Sequence, residues 1–246
     1  MADHDLFEAE EAALNAAEQA HAQGTLDAGG YRTALETLIG QFRRLVRESR
    51  RLIRHSDRQE RELNALNARL QQLAAELDYK ARHDPLTRAL NRRAVIEHTE
   101  ALLHNGRLAL IVLDIDHFKR INDECGHPTG DAVIVELVER LRSIAPANAE
   151  IGRVGGEEFT VVLPMADLST AAAVAEHMRA RVAAAPFSRP LGRTVTASFG
   201  VSETQRGGTF GDAYARADAA LYEAKRGGRN TVVCDCLPGE ATLQSP

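Results

Sequence analysis

Two adjacent acidic residues, Glu157 and Glu158, follow a pair of glycines and have the chemistry to bind metal ions. β-Favouring residues flank Gly155 and Gly156, so the pattern predicts a tight β-hairpin whose turn uses positive φ angles that glycine adopts at little cost. Adjacent carboxylates repel each other unless a cation compensates them, and Mg²⁺ or Mn²⁺ binds through carboxylates together with substrate phosphates. An ordinary solvated hairpin tip is the alternative, and the turn by itself does not exclude it.

A second acidic position lies at the end of a short apolar run. Residues 108–113 are wholly apolar and predict a central strand buried on both faces, which ends at Asp114. A carboxylate at the end of a buried strand is where open α/β sheets place ligand chemistry.

The turn at 117–119 predicts free backbone N–H groups for phosphate oxygens. Asn122 and Asp131 offer an amide and a carboxylate suited to a guanine edge, although capping the predicted helix 131–145 is the alternative role of Asp131.

A long heptad pattern precedes these residues. Apolar side chains, mostly leucine, recur from Leu35 to Leu77 at alternating spacings of three and four. This pattern predicts a coiled coil and therefore oligomerisation. Polar residues interrupt this seam at Ser49, Ser56 and Gln59 and weaken its middle. A stiff spacer with no regulatory role explains the seam equally well.

An additional apolar stripe widens the first half of the seam. It consists of Ile39, Val46 and Ile53. We expect it to receive either the short helix predicted for residues 1–23, which ends at Gly24, or a partner protein. Residues 27–30 predict a loop.

The rest of the chain predicts alternating helices and strands. Asp84 and Thr87 are the expected caps of the first of these helices. The predicted helices cover 86–104, 131–145, 167–185 and 211–226, and the predicted strands cover 150–154, 158–163, 194–201 and 231–234.

Composition narrows the class of protein. The chain has 246 residues, 44% of them hydrophobic, which allows one substantial core and a second element. Its formal net charge of -5 argues against a general nucleic-acid or membrane-surface binder. Three cysteines do not form a disulfide framework and predict reduced thiols. Since no apolar run approaches the ~20 residues of a membrane helix, we expect a cytoplasmic protein with no membrane segment.

Four separated motifs, in order, resemble the diguanylate cyclase (GGDEF) family. They are Asp114–Asp123, Gly126–Asp131, Gly155–Phe159 and Ala217–Asn230, after an Asp-Pro-Leu-Thr entry at 84–87. The resemblance implies an α+β domain with a central antiparallel-containing sheet, like the palm of polymerases and nucleotide cyclases, flanked by helices and preceded by an all-α coiled-coil stalk. The predicted divisions are 1–30 for a short helix and loop, 31–80 for the stalk, 81–235 for the GGDEF domain and 236–246 for a disordered tail.

The resemblance also implies the condensation of two GTP molecules to cyclic di-GMP and two pyrophosphates. Position by position, it implies metal ligands for a pair of Mg²⁺ or Mn²⁺ ions at Asp114, Glu157 and the backbone carbonyl of Ile115. Glu158 is either a further ligand or the base for the attacking hydroxyl. The phosphates would meet Phe118, Lys119, Lys225 and Arg229, the guanine would meet Asn122 and Asp131, and Arg153 would brace the hairpin through its carboxylates.

One such domain would hold one GTP, so the resemblance implies a homodimer with two active sites face to face. The heptad stalk would supply the second copy at high effective concentration. The N-terminal region is similar to stalks of cyclases that a small regulatory protein switches on. Pro146 and Ala149 stand where many members carry an inhibitory product-binding Arg-x-x-Asp motif, so we expect no product feedback there.

Three alternatives remain. The first is a catalytically inactive GGDEF-like sensor that binds GTP or cyclic di-GMP. The second is a scaffold whose function is the coiled coil, and the third is a cyclase acting on a single nucleotide. The first two predict loss of the acidic or phosphate-binding residues, but all are present: Asp114, Lys119, Glu157, Glu158 and Lys225.

Overall fold

The computed structural model describes residues 7–23 and 27–235. Contacts divide the chain into two compact units, with the boundary between Ala75 and Glu76. The predicted helix stop at Gly24, the third cysteine, Cys236, and the predicted disordered tail lie outside the described residues. No helix in the described ranges is long and apolar enough to cross a membrane.

The first unit contains a short helix and most of a long one. Helix α1 covers Glu8–Gln23 and helix α2 covers Ala28–Arg82, so the prediction of one long helix through the heptad region is confirmed. The predicted loop at 27–30 is wrong, because Asp27 Oδ1 accepts the backbone N–H of Gly30 at 2.8 Å and starts the helix there. The Tyr31 hydroxyl donates to the Ala20 carbonyl at 3.3 Å, which places α1 beside the start of α2.

The second unit is built on a six-stranded sheet with the order β1-β3-β4-β2-β5-β6. Strand β2 lies in the middle and pairs antiparallel with β4 and β5, whereas the outer pairs β1–β3 and β5–β6 are parallel. The α+β fold class with an antiparallel-containing sheet is therefore confirmed. The strands are β1 Leu90–Asn91, β2 Leu108–Ile115, β3 Glu150–Arg153, β4 Glu158–Pro164, β5 Ala197–Thr204 and β6 Val232–Cys234.

Helices cover both faces of this sheet, so β2 is buried along its whole length, as predicted. Because side chains alternate along a strand, Leu108, Leu110 and Val112 pack in one core with α3 and α7 residues. The intervening β2 residues pack with residues of α5 and α6 in the other core. The helices are α3 Arg92–Asn105, α4 Phe118–Cys125, α5 His127–Arg142, α6 Leu168–Ala183 and α7 Phe210–Arg226.

Three predicted boundaries are wrong. The helix predicted from residue 86 begins at Arg92, with Asn91 accepting the Ala94 N–H at 3.0 Å as its cap. The helix predicted from Asp131 begins at His127, so Asp131 is an exposed residue inside α5 and not a cap. The strand predicted at 194–201 runs from 197 to 204, because its partner β2 ends at Ile115, opposite Ala197.

Candidate active site

The sheet register brings two of the predicted acidic residues together. Asp114 on β2 lies directly opposite Glu158 on β4. Directly opposed side chains of antiparallel strands project from the same face, with Cβ atoms ~4.5–5.5 Å apart. Asp114 has the strand position that faces α3 and α7, and it is only 6% exposed. Glu157 adjoins Glu158 in the turn, so three carboxylates gather at this end of the sheet.

Lys225 near the end of α7 pairs with this acidic group. Its Nζ lies 3.0 Å from Asp114 Oδ1. Burial raises the pKa of Asp114, the charges of Glu158 and Asp116 add to that increase, and Lys225 opposes it. Burial also raises the pKa of Glu157, with further increases from Asp114 and Glu158. The site therefore carries more negative charge than Lys225 compensates.

The glycines of this turn have a different role from the one predicted. Neither Gly155 nor Gly156 has a positive φ angle, so the prediction of a left-handed turn is wrong. A Cβ on Gly155 would instead lie 2.6 Å from Glu158 Oε2, whereas a Cβ on Gly156 would meet nothing within 4 Å. Glycine at 155 therefore makes room for the Glu158 side chain.

Arg153 braces the turn, but not through the glutamates. Its Nη2 and Nε donate to the Gly156 carbonyl at 2.7 and 3.2 Å, and its Nη1 donates to both carboxylate oxygens of Asp84. Asp84 also accepts from the Thr87 N–H and hydroxyl. Burial acts to raise the pKa of Asp84, but the bonds from Thr87 and Arg153 outweigh it and lower this pKa. The entry turn and the acidic turn are thus joined by one ion pair.

The residues predicted to bind phosphates differ in the exposure of their side chains. Phe118 begins α4, but its side chain is 6% exposed and lies in the core, so only its backbone remains available for a ligand. Lys119 and Arg229 are exposed. Ile115 is likewise in the core and offers only its carbonyl.

The two residues predicted to read a guanine lie on neighbouring helices. Asn122 of α4 lies against Gly130 of α5, which precedes Asp131, and a Cβ built on Gly130 would overlap Asn122 Oδ1. This oxygen is buried without a hydrogen-bond partner in the described part of the chain. A buried acceptor without a partner is costly unless a ligand satisfies it.

Sequence reasoning missed two residues beside these carboxylates. Asp116 is buried and accepts hydrogen bonds from Thr196, Ser198 and Asn230. Tyr214 of α7 has a pKa raised by burial and by the charges of Glu158, Asp218 and Asp114. The alternation Asp-Ile-Asp could have indicated Asp116, since both acids share one strand face, but no pattern indicated Tyr214.

The acidic residues fit a divalent cation that a substrate helps to bind. Carboxylates are the ligands that Mg²⁺ prefers, usually one or two of them with substrate phosphates. Burial first, and then the neighbouring carboxylates, raise the pKa of Asp114 and of Glu157, so both side chains carry a disfavoured negative charge that such an ion would offset. Within residues 7–23 and 27–235, no three His, Cys, Asp or Glu side chains already form a complete metal cage. The donors therefore suit a metal that arrives with a phosphate ligand.

The family model described as "Diguanylate cyclase, GGDEF domain" matches residues 81–231, more than half of the chain. The chain belongs to the GGDEF family. The match begins in the last turn of α2 and ends just before β6, so it contains every acidic and cationic residue of the site described above.

Known GGDEF proteins resemble the chain beyond this domain. Diguanylate cyclase VdcA of Vibrio cholerae is 36% identical over 208 residues, which are 81% of this chain and 61% of that protein. The chain thus spans about three fifths of this curated relative. A crystal structure of the coiled coil and GGDEF domain of DgcB from Caulobacter crescentus, with c-di-GMP, has 32% identity and a TM-score of 0.66, covering 70% of this chain and 95% of that one.

A third GGDEF similarity includes the N-terminal helices. The crystal structure of diguanylate cyclase SiaD in complex with its activator SiaC, from Pseudomonas aeruginosa, has 31% identity and a TM-score of 0.62. It covers 94% of this chain and 92% of that one. The similarity therefore extends over both units of the chain.

Proposed function

We propose that this chain is a diguanylate cyclase that condenses two GTP molecules into cyclic di-GMP and two pyrophosphates. The observation that carries this proposal is the register of Asp114 opposite Glu158, with Glu157 adjacent and Lys225 3.0 Å from Asp114. Family membership supports the same reaction. A sensor that binds GTP without turnover does not need three neighbouring carboxylates, two of which have a pKa raised first by burial and then by the charges of their neighbours.

We assign the metal to the acidic group. Asp114, Glu157 and the Ile115 carbonyl would hold a pair of Mg²⁺ or Mn²⁺ ions, with Glu158 as a further ligand or as the base for the 3'-hydroxyl. A pair of metals stabilises charge on the attacking and leaving oxygens of an in-line displacement. Lys225 offsets negative charge from the other side, as its contact with Asp114 indicates.

The remaining residues would bind the nucleotide. Lys119 and Arg229, exposed at the start of α4 and just after α7, together with Lys225 and the Phe118 backbone, would bind the phosphates. The Asn122 amide and the Asp131 carboxylate would bind the guanine. The orphaned Asn122 Oδ1 supports this role, because a guanine N–H would satisfy it.

We further propose that residues 31–80 form a coiled coil that joins two copies, each contributing one GTP from its 81–235 domain. No residue of α2 is buried in the single chain. Exposed leucines on one helical stripe favour association with a second copy. A homodimer would place two active sites at high effective concentration.

The first test is incubation of the purified protein with GTP and Mg²⁺, followed by chromatography. We expect cyclic di-GMP from the unaltered chain and none from Asp114→Asn, while Asp212→Asn, which changes an exposed residue of α7, keeps full activity. If GTP binds but no product forms even with host extract, the chain is a sensor. If neither binding nor product occurs, the proposal is wrong.

A substitution at Gly130 tests the guanine assignment. In Gly130→Ala the new Cβ displaces Asn122 Oδ1, so we expect the KM for GTP to rise about tenfold, the loss of roughly one hydrogen bond to a polar group. Gly211→Ala is the matched control, because its Cβ would meet only Thr209 Oγ1 at 3.7 Å. An unchanged KM in Gly130→Ala, with intact folding by circular dichroism, would remove Asn122 from the guanine site.

A small regulatory protein on the stalk is the second part of the proposal. An apolar groove of about 610 Å³ between α1 and α2 is lined by Leu14, Leu38, Ile39, Phe42 and Leu45, with Glu10, Glu11, Gln41 and Arg43 around them. The similarity to SiaD, solved with its activator SiaC, covers this region. The stripe beside the seam thus contributes Ile39 to a groove that α1 does not fill.

Activation by host extract tests this surface. We expect extract to increase product formation by the unaltered chain and by Arg50→Glu, an exposed change elsewhere on α2. Ile39→Glu places a charge in the groove, beside the heptad seam and not on it, and should abolish the increase while leaving the basal rate intact. Equal activation of all three proteins would place the regulator elsewhere. The proposal does not include inhibition by the product at Pro146 and Ala149, where many family members carry an Arg-x-x-Asp motif.

A further inference from the structure

The turn that carries Arg229 holds two residues in an unfavourable backbone conformation. Arg229 and Asn230 have φ angles of 65° and 46°. Residues with a side chain seldom adopt this left-handed region, and two in succession need support from their surroundings. The turn follows Gly228 at the end of α7, one helical turn beyond Lys225.

Asp116, just past the end of β2, supports this turn. Its Oδ2 accepts the backbone N–H of Asn230 at 3.0 Å and the Thr196 hydroxyl at 2.7 Å. Its Oδ1 accepts the Ser198 hydroxyl at 2.7 Å. Asp116 is 5% exposed, so three donors hold one buried carboxylate in place. Hydrogen bonds to an ionised acceptor are about twice as strong as neutral ones.

Arg179 supports the same turn from α6. Its Nη1 donates to Asn230 Oδ1 at 2.9 Å and to the Asn230 carbonyl at 3.4 Å. Glu176 holds the other edge of the guanidinium, with Nη2–Oε1 at 2.6 Å and Nε–Oε2 at 2.8 Å. Two charged side chains therefore hold Asn230 in place, Asp116 through the backbone N–H and Arg179 through the side chain.

Asn230 adjoins Arg229, whose positive charge is unpaired within residues 7–23 and 27–235. In the described part of the chain, the Arg229 side chain is exposed and has no hydrogen-bond or ion-pair partner, while its backbone N–H donates to the Ala224 carbonyl at 3.1 Å. Fixing the backbone of a long cation reduces the conformational freedom lost when it binds an anion. The end of α7 does not by itself require a left-handed turn that two charged side chains hold in place.

We propose that Asp116 and Arg179 are positioning residues that act through Asn230 to aim Arg229 at the terminal phosphate of GTP. They thereby set the preference for a triphosphate over a diphosphate. The inference rests on the proposed function, since it takes the Arg229 partner to be GTP. Neither residue touches the substrate in this assignment.

The test measures nucleotide affinity by calorimetry on the full chain with Mg²⁺. The ligands are 3'-deoxy-GTP, which lacks the attacking hydroxyl, and GDP, which lacks the terminal phosphate. Arg179→Met keeps the aliphatic stem and removes the charge. We expect it to weaken 3'-deoxy-GTP binding about tenfold, the loss of roughly one charge-assisted hydrogen bond, and to leave GDP binding nearly unchanged.

A thermodynamic cycle shows whether Arg179 acts through Arg229. In an Arg229→Met background, Arg179→Met should have no further effect on 3'-deoxy-GTP affinity. Arg181→Met, on the same helix but bonded to Ser143 Oγ, is the control and should bind both nucleotides normally. Asp116→Asn should produce the same selective loss to a smaller extent, because the amide keeps one acceptor for Asn230.

The outcomes separate the inference from the proposed function. If the unaltered chain binds neither nucleotide, the proposed function fails. If it binds both but Arg179→Met weakens them equally, or weakens 3'-deoxy-GTP equally with and without Arg229, the residues only stabilise the fold and the inference is wrong. A selective loss that vanishes in the Arg229→Met background establishes it.

Discussion

Glu157→Gln is expected to lower cyclic di-GMP formation by on the order of 10²-fold or more, the scale of removing one group that stabilises transition-state charge. The same substitution should raise the melting temperature of the metal-free protein at pH 7. Both effects come from the negative charge of Glu157, which burial first, and then the charges of Asp114 and Glu158, disfavour in the folded chain. An ion requires that charge, and the folded chain without the ion is destabilised by it.

The pH dependence follows from the direction of the pKa shift. Burial first, and then the charges of Asp114 and Glu158, raise the pKa of Glu157 above its ordinary value. Folding therefore favours the protonated carboxyl of Glu157. The stabilising contribution of this carboxyl to folding is present below its unfolded pKa of ~4.3 and is lost as the pH rises through its folded pKa. Because glutamine does not ionise, the gain in melting temperature from Glu157→Gln should become smaller as the pH is lowered toward 4.

Thermal unfolding in EDTA at pH 7 and pH 4 checks this. The control is Glu139→Gln, which changes an exposed glutamate of α5 and should alter neither activity nor the difference between the two pH values. A lower melting temperature for Glu157→Gln at pH 7 would show that the carboxylate stabilises the fold. An active Glu157→Gln protein would show that the carboxylate is not a metal ligand.

Placing charges on the seam of α2 is expected to reduce activity per molecule by roughly 10²- to 10³-fold at about 1 μM protein, because linked domains meet at effective concentrations near the millimolar range. Leu66→Glu with Leu70→Glu is the sharpest form of this change. These leucines are 58% and 55% exposed in the single chain, so the substitution removes little packing within one molecule. It places repelling charges on the proposed contact with the second copy.

The matched control lies one residue further along the same helix. Asn67→Glu with Gln71→Glu adds the same charges at the same spacing, but off the leucine seam. We expect this protein to remain dimeric and active by light scattering and by product formation. The seam variant should be monomeric and should regain activity per molecule as its concentration is increased. A monomeric variant with full activity at every concentration would rule out the need for two facing sites.

Local patterns were enough for the elements with a strong period or a strong stop signal. The heptads predicted one long helix, and the apolar run predicted a buried strand that ends near Asp114, because these patterns depend only on neighbouring residues. The motifs around Asp114, Glu157 and Lys225 were likewise enough to indicate the family. Short-range reasoning was wrong for the entry at 84–91, where Asp84 closes a turn and binds Arg153, 69 residues away in the chain.

The sequence by itself determined the class of the protein, its acidic and cationic residues and the long helix that precedes them. Only the tertiary structure decided which of these residues meet. The strand register places Asp114 opposite Glu158, and the alternation along β2 turns Asp114 toward α7, where Lys225 reaches it. It also decided that Gly155 makes room for a side chain and that Asp116 holds a distant turn. These contacts join residues far apart in the chain, and no local pattern encodes a distance between them.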